Sequence, residues 1–208
     1  MKGIEEFLRL SPVMPVVTIE DAAIAADLAR ALVRGGIRVI EVTLRTPAAL
    51  AAIEAIARAE TDIYVGAGTV LSVSDLHSAA AAGAAFAISP GSTAALLEAG
   101  RHAAIPYLPA VATASELMTG LAAGFRCFKF FPAAAAGGLA MLKSFAGPFP
   151  EARFCPTGGI TQDNVRSYLE LPNVLCAGGS WLSPADALAA RDWARIEALA
   201  LKAAASRT

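Results

Sequence analysis

Eight short apolar runs recur along this chain, at residues 13–18, 39–44, 63–66, 86–89, 105–109, 127–131, 153–156 and 174–177. Alanine- and leucine-rich stretches of helical spacing lie between them, for example 22–34, 47–59 and 94–100. The runs start roughly two dozen residues apart, the size of a minimal strand-plus-helix unit. Near-continuous apolar strands predict a parallel sheet covered by helices. Eight such units closing on themselves give an α/β fold, a single (β/α)8 TIM barrel. Residues 1–7 mix acids with apolar side chains and predict a short amphipathic N-terminal helix. A doubly wound open sheet is the alternative; eight similar units and the lack of a G-x-G-x-x-G turn after the first run disfavour it.

Punctuation along the chain supports the alternation. Thr46-Pro47, Ser74-Asp75 and Thr161 are candidate helix starts. Gly35-Gly36, Gly83, Gly100 and Gly124 follow helical stretches, where a left-handed residue is favoured. No linker or low-complexity segment divides the 208 residues, so one domain spanning 1–208 is expected.

Charge narrows the function classes. The net charge is −1, with 17% charged residues and no basic stripe, which argues against a nucleic-acid partner. No uninterrupted apolar run reaches the length of a membrane span. The acidic start does not fit a signal peptide. Cys127, Cys155 and Cys176 are odd in number and set in apolar runs, which predicts free thiols in a reducing, cytoplasmic compartment. His77 and His102 lack partners at zinc-ligand spacing, so no metal site is expected. Low charge with high apolar content leaves room for an oligomer interface.

In such a barrel the chemistry belongs at the C-terminal strand ends, and the odd residues gather there. Lys129 lies inside the apolar run Phe128-Lys129-Phe130-Phe131, one of four lysines in the chain. Burial disfavours an ammonium, and a neutral lysine is a nucleophile toward carbonyls. The competing reading is a lysine that snorkels to the surface. Period two puts Glu41, Thr43 and Arg45 on one face of the second strand, with Val39. A glutamate facing an apolar interior suits general acid/base work; a structural Glu41–Arg45 ion pair is the alternative. Gly66-Ala67-Gly68-Thr69 offers close backbone approach and a hydroxyl, and Ile88-Ser89-Pro90-Gly91 reads as a turn. Thr157-Gly158-Gly159 and Gly178-Gly179-Ser180 follow the seventh and eighth runs, where this fold places phosphate on backbone N–H groups.

An amine, an acid/base and two anion sites together suggest Schiff-base chemistry on a 2-oxo acid. Lys129 would attack the ketone, Glu41 would move protons, and the Arg45 fork would hold a carboxylate. A distal phosphate would dock on Gly158, Gly159 and Ser180. No metal is required.

The segments Glu41-Val42-Thr43-Leu44-Arg45-Thr46, Gly66-Ala67-Gly68-Thr69-Val70, Ile88-Ser89-Pro90-Gly91, Phe128-Lys129-Phe130-Phe131-Pro132-Ala133, Phe154-Cys155-Pro156-Thr157-Gly158-Gly159-Ile160 and Gly178-Gly179-Ser180-Trp181-Leu182 resemble the 2-dehydro-3-deoxy-phosphogluconate (KDPG) aldolase family, in the family's order and over nearly the whole chain. The resemblance implies a class I aldolase of the Entner–Doudoroff pathway that yields pyruvate and glyceraldehyde 3-phosphate. It implies a homotrimer, a small 2-oxo acid sugar phosphate as the binding partner and no cofactor. By matched motif, Lys129 is the Schiff-base lysine and Glu41 the proton shuttle. Arg45 and Thr69 contact the carboxylate, and Pro90 and Phe131 line the pocket. Thr157, Gly158, Gly159, Gly179 and Ser180 serve the hydroxyl and phosphate end. Sister activities on 4-hydroxy-2-oxoglutarate or on 2-dehydro-3-deoxy-6-phosphogalactonate are the nearest alternatives; a non-covalent phosphate-binding barrel is a further one. The chain departs from the family pattern at Ala134, where an acid is usual, and in Pro109-Ala110-Val111-Ala112-Thr113, where Pro-Gly and a serine are.

Overall fold

The computed structural model describes residues 2–59 and 61–207. Helix α1 (Ile4–Leu8) precedes strand β1 (Val13–Val17). A 3-10 turn (Ala22–Ile24) leads into α2 (Ala25–Arg34). The alternation continues through β2 (Val39–Thr43), α3 (Ala49–Arg58), β3 (Tyr64–Gly68), α4 (Val73–Ala81), β4 (Phe86–Ile88) and α5 (Ala94–Arg101). Two short strands follow, β5 (Tyr107–Leu108) and β6 (Ala110–Val111). Then come α6 (Ala114–Ala122), β7 (Cys127–Phe130), α7 (Gly138–Ala146), β8 (Arg153–Pro156), α8 (Val165–Leu169), β9 (Ala177–Gly179), α9 (Ala185–Ala190) and α10 (Trp193–Ala204).

Every strand pairing is parallel. Six strands form one curled sheet in the order β5-β4-β3-β2-β1-β9, and three form another, β6-β7-β8. Isolated parallel bridges, Phe154–Val174 and Thr157–Gly178, link β8 to the β9 segment. On the other side the chain passes from one sheet to the other across Pro109. Proline has no N–H to give a ladder; the expected fifth strand at 105–109 forms only at Tyr107–Leu108, and pairing resumes beyond it at Ala110–Val111.

Strand alternation sorts the core into two layers. Ile40, Val42, Phe128, Phe130 and Phe154 pack outward against helix residues such as Leu28, Leu32, Ile53 and Phe145. Each fully buried side chain of this size contributes about 1.5–3 kcal/mol. Met14, Val39, Phe86, Ile88, Leu108, Cys127 and Cys155 face inward and form a second cluster. Helix α1 closes the bottom of that cluster with Phe7 and Leu8, the Phe7 ring lying 5.1 Å from that of Phe86.

Several expected helix boundaries move. Helix α4 is capped by Ser72, whose side chain accepts from the Asp75 N–H while the Asp75 carboxylate accepts from the Ser72 N–H, so the start lies two residues before Ser74. Thr46 caps nothing with its side chain; its hydroxyl donates to the Ile19 carbonyl, and α3 begins at Ala49. Thr161 precedes a turn, and α8 starts at Val165. Gly36, Gly83 and Gly124 take positive φ as expected, but Gly100 sits inside α5, where a Cβ would strike the Tyr107 ring.

Candidate active site

Period two puts Glu41 of β2 and Lys129 of β7 on the inner face, one step above Val39 and Cys127. Lys129 is only 5% exposed and Glu41 2%, so the ammonium does not reach the surface. Its Nζ donates to Glu41 Oε1 at 2.8 Å and Oε2 at 3.2 Å. The alternative Glu41–Arg45 ion pair is therefore not formed. In register, Lys129 lies between Ala110 and Cys155, whose small side chains leave room around it. The Phe131 ring centre is 5.4 Å from Nζ. Gly68, on the strand beside Glu41, is vacant of side chain where a Cβ would overlap the carboxylate.

Beneath this pair lies an apolar, thiol-lined floor. Burial pushes the Cys127 thiol up to about 11. A hydrogen bond with Cys155, then burial, push the Cys176 thiol well above its ordinary value. Protonated thiols add no charge near the ion pair.

Above Lys129 opens a cavity of about 220 Å³. Its lining includes Arg45, Lys129, Phe131, Thr157, Gly158, Gly159, Gly179 and Ser180. The charged groups among its lining residues, Arg45 and Lys129, are both cationic, which favours an anionic ligand. Arg45 Nε donates to Thr69 Oγ1 at 3.2 Å. Thr69 holds φ 59, the left-handed region, which is unusual for a β-branched residue. Gly158 and Gly159 take φ 97 and 75. The Ala133 N–H donates to the Thr157 carbonyl (2.8 Å) and the Ala134 N–H to that of Gly158 (3.0 Å), so the loops after β7 and β8 are tied together.

Three of the expected residues stand outside the cavity wall. Glu41 lies behind Lys129, Thr69 reaches the site through Arg45, and Pro90 is half-buried after β4. Val16, Thr18 and Ile160 line the cavity and were not among the expected residues; Gly178, part of the expected phosphate loop, also lines it. The inward parity of β1, Met14-Val16-Thr18, is the signal that identifies the first two.

A buried amine 2.8 Å from a carboxylate, under a cationic cavity, can exchange its proton with the acid and add to a carbonyl. Residues 4–199 match the family described as KDPG and KHG aldolase. The 2-dehydro-3-deoxy-phosphogluconate aldolase of Pseudoalteromonas atlantica is 55% identical over 93% of this chain and 90% of its own length. The KHG/KDPG aldolase of Escherichia coli (strain K12) is 53% identical over 96% of this chain and 93% of its own. A crystal structure of the KDPG aldolase from Legionella pneumophila, with pyruvate captured at low pH as a covalent carbinolamine, superposes with a TM-score of 0.95 at 50% identity, covering 97% of this chain and 98% of that one. The chain belongs to the KDPG and KHG aldolase family and is a class I aldolase, an aldehyde-lyase.

Proposed function

We propose that this enzyme cleaves 2-dehydro-3-deoxy-6-phosphogluconate to pyruvate and glyceraldehyde 3-phosphate, the Entner–Doudoroff step, with Lys129 as the imine-forming lysine and Glu41 as the proton shuttle. The observation that carries the assignment is the buried Lys129–Glu41 contact at 2.8 Å beneath a cavity whose lining charges are cationic. Glu41 takes a proton from Nζ, and the free amine adds to the C2 carbonyl. The carbinolamine oxygen is protonated and leaves as water, giving an iminium. That cation draws the C3–C4 bonding electrons as the C4 hydroxyl gives its proton to Glu41, and the aldehyde departs. The enamine is protonated at C3, and water then releases pyruvate. General acid/base help of this kind is worth about 10²–10⁴ in rate. The chemistry takes no cofactor, because the imine itself is the electron sink.

Arg45, steadied by Thr69, suits the carboxylate, since its planar fork can bind two oxygens. Phe131 and Pro90 shape the pocket around the oxo acid. Thr157, Gly158, Gly159, Gly179 and Ser180 receive the hydroxyl and phosphate end. The proposal includes a closed (β/α)8 barrel, with β5 and β6 as one interrupted strand; the bridges from β8 to the β9 segment support it. It also includes one domain over 1–208 and a cytoplasmic homotrimer. Exposed Leu71 and Met118 are side chains available for subunit contacts. No helix among the described residues is long and apolar enough to cross a membrane.

Incubation with pyruvate, borohydride reduction and peptide mapping tests the assignment. The adduct is expected on Lys129. No adduct, or one on Lys2, Lys143 or Lys202, overturns it. Relative turnover on the gluconate and galactonate epimers and on 4-hydroxy-2-oxoglutarate decides the substrate preference.

A further inference from the structure

Thr18 follows β1 on the same inward parity as Val16 and lines the cavity above Lys129, yet no step of the proposed mechanism uses it. Its Oγ1 lies 3.0 Å from Oγ1 of Thr43, the residue after Val42 on the neighbouring strand. A distance between two hydroxyls does not say which one donates, but the surroundings do. Thr43 is 1% exposed, and its hydroxyl donates to the Val17 carbonyl at 3.1 Å. A threonine hydroxyl carries one proton. With that proton committed to Val17, Thr43 accepts and Thr18 donates.

Thr18 therefore meets the cavity with its proton already used. Its oxygen can only accept there. Thr157, which also lines the cavity, is different: its hydroxyl donates to the Cys155 carbonyl at 3.5 Å, a long contact that a better-placed acceptor on a ligand can replace. The charged lining groups, Arg45 and Lys129, are donors that fit anionic ends. The middle of a hydroxylated substrate presents O–H donors instead, and these need an acceptor.

We infer that Thr18 is a specificity-determining residue whose oxygen accepts a hydrogen bond from the C5 hydroxyl of the substrate. The inference rests on the aldolase reading above. Of the two hydroxyls on the aldehyde half, that on C4 must give its proton to the base at bond cleavage, which leaves the C5 hydroxyl in need of an acceptor. 4-Hydroxy-2-oxoglutarate has no such group, whereas the gluconate and galactonate phosphates share it and differ only at C4. Thr18 thus selects for a polyhydroxy aldehyde half without choosing between the C4 epimers.

The test compares Thr18→Val and Thr18→Ser with wild type on three substrates and in pyruvate–borohydride trapping. Thr18→Val should lower kcat/KM on both phosphorylated epimers by roughly three- to tenfold, the size of one lost neutral hydrogen bond. It should leave 4-hydroxy-2-oxoglutarate cleavage and trapping at the wild-type level, and Thr18→Ser should restore the loss. Equal losses on all three substrates would make the Thr18–Thr43 contact a strand fastener and overturn the inference, as would no loss on any. Failure of wild type to trap pyruvate would instead overturn the aldolase assignment itself, so the two failures are distinguishable.

Discussion

Gly68 and Glu41 compete for one volume: a Cβ on Gly68 would overlap the carboxylate that receives the Lys129 ammonium. The two residues stand on adjacent strands, where Thr43 pairs in register with Gly68. The absent side chain is therefore part of how the acid is aimed.

Gly68→Ala should push the carboxylate off Lys129 while keeping the overall fold. We expect kcat to drop by about 10²-fold, the lower range for loss of an acid/base group, at a stability loss of about 1–3 kcal/mol for overpacking. Steady-state kinetics and urea denaturation measure the two. Unchanged kcat would show that Glu41 tolerates displacement.

Burial makes the ion pair a liability when it is halved. Lys129→Met leaves a buried carboxylate without its partner, and Glu41→Leu leaves a buried ammonium; each should destabilise by about 3–5 kcal/mol. The double variant Lys129→Met/Glu41→Leu should recover most of that loss. Denaturant midpoints of the four proteins decide it, and additive losses would contradict the coupling.

Much of this pair was legible in the sequence. Period two in a strand is set by backbone geometry, so the inward face of Glu41 was readable from its strand, and Lys129 shared a face with Cys127 and Phe131 whose direction the packing decides. The harder parts depended on neighbours. The division of the fifth strand at Pro109 reflects which sheet each half pairs with. The eighth strand, expected at 174–177, forms at Ala177–Gly179, while Val174 makes only an isolated bridge. Between Phe154–Val174 and Thr157–Gly178 the later segment advances four residues against three, an offset no single-strand pattern reveals. Gly178 and Gly179, expected just after the eighth run, therefore lie within the strand. Thr18 was overlooked although its parity was readable, because an isolated threonine shows its value only beside Thr43.

Thr69 pays a backbone penalty that glycine would not. Thr69→Gly and Thr69→Ala both remove the oxygen that receives Arg45 Nε, yet alanine keeps the left-handed strain. The glycine variant should be more stable than the alanine variant by about 1 kcal/mol. Both should raise KM for the oxo acid to a similar degree. Thermal denaturation with parallel kinetics separates strain from contact, and an alanine variant of equal or greater stability would refute the strain.

The thiol floor predicts an alkaline weakness. An unfolded cysteine ionises near 9.0, whereas Cys127 in the fold holds its proton to about 11. Between those values the unfolded chain has lost a proton that the folded chain keeps, so stability falls as pH rises. Cys176 and the buried Tyr107 phenol shift in the same direction. The unfolding free energy from urea titrations should drop from pH 8 to pH 10 by more than about 1 kcal/mol, and Cys127→Ala should flatten part of the slope. A value that holds or rises would contradict the sign.

Helix α1 packs against the lower end of the inner core, and the cavity that Lys129 lines lies at the far ends of the strands. Under the proposed reading, the oxo acid on Lys129 sits at the inner end of that cavity and the aldehyde half lies further out. The bond to Lys129 then orders departure as well as chemistry: aldehyde first, pyruvate last, and in synthesis the ketone must be anchored before the aldehyde can be joined to it.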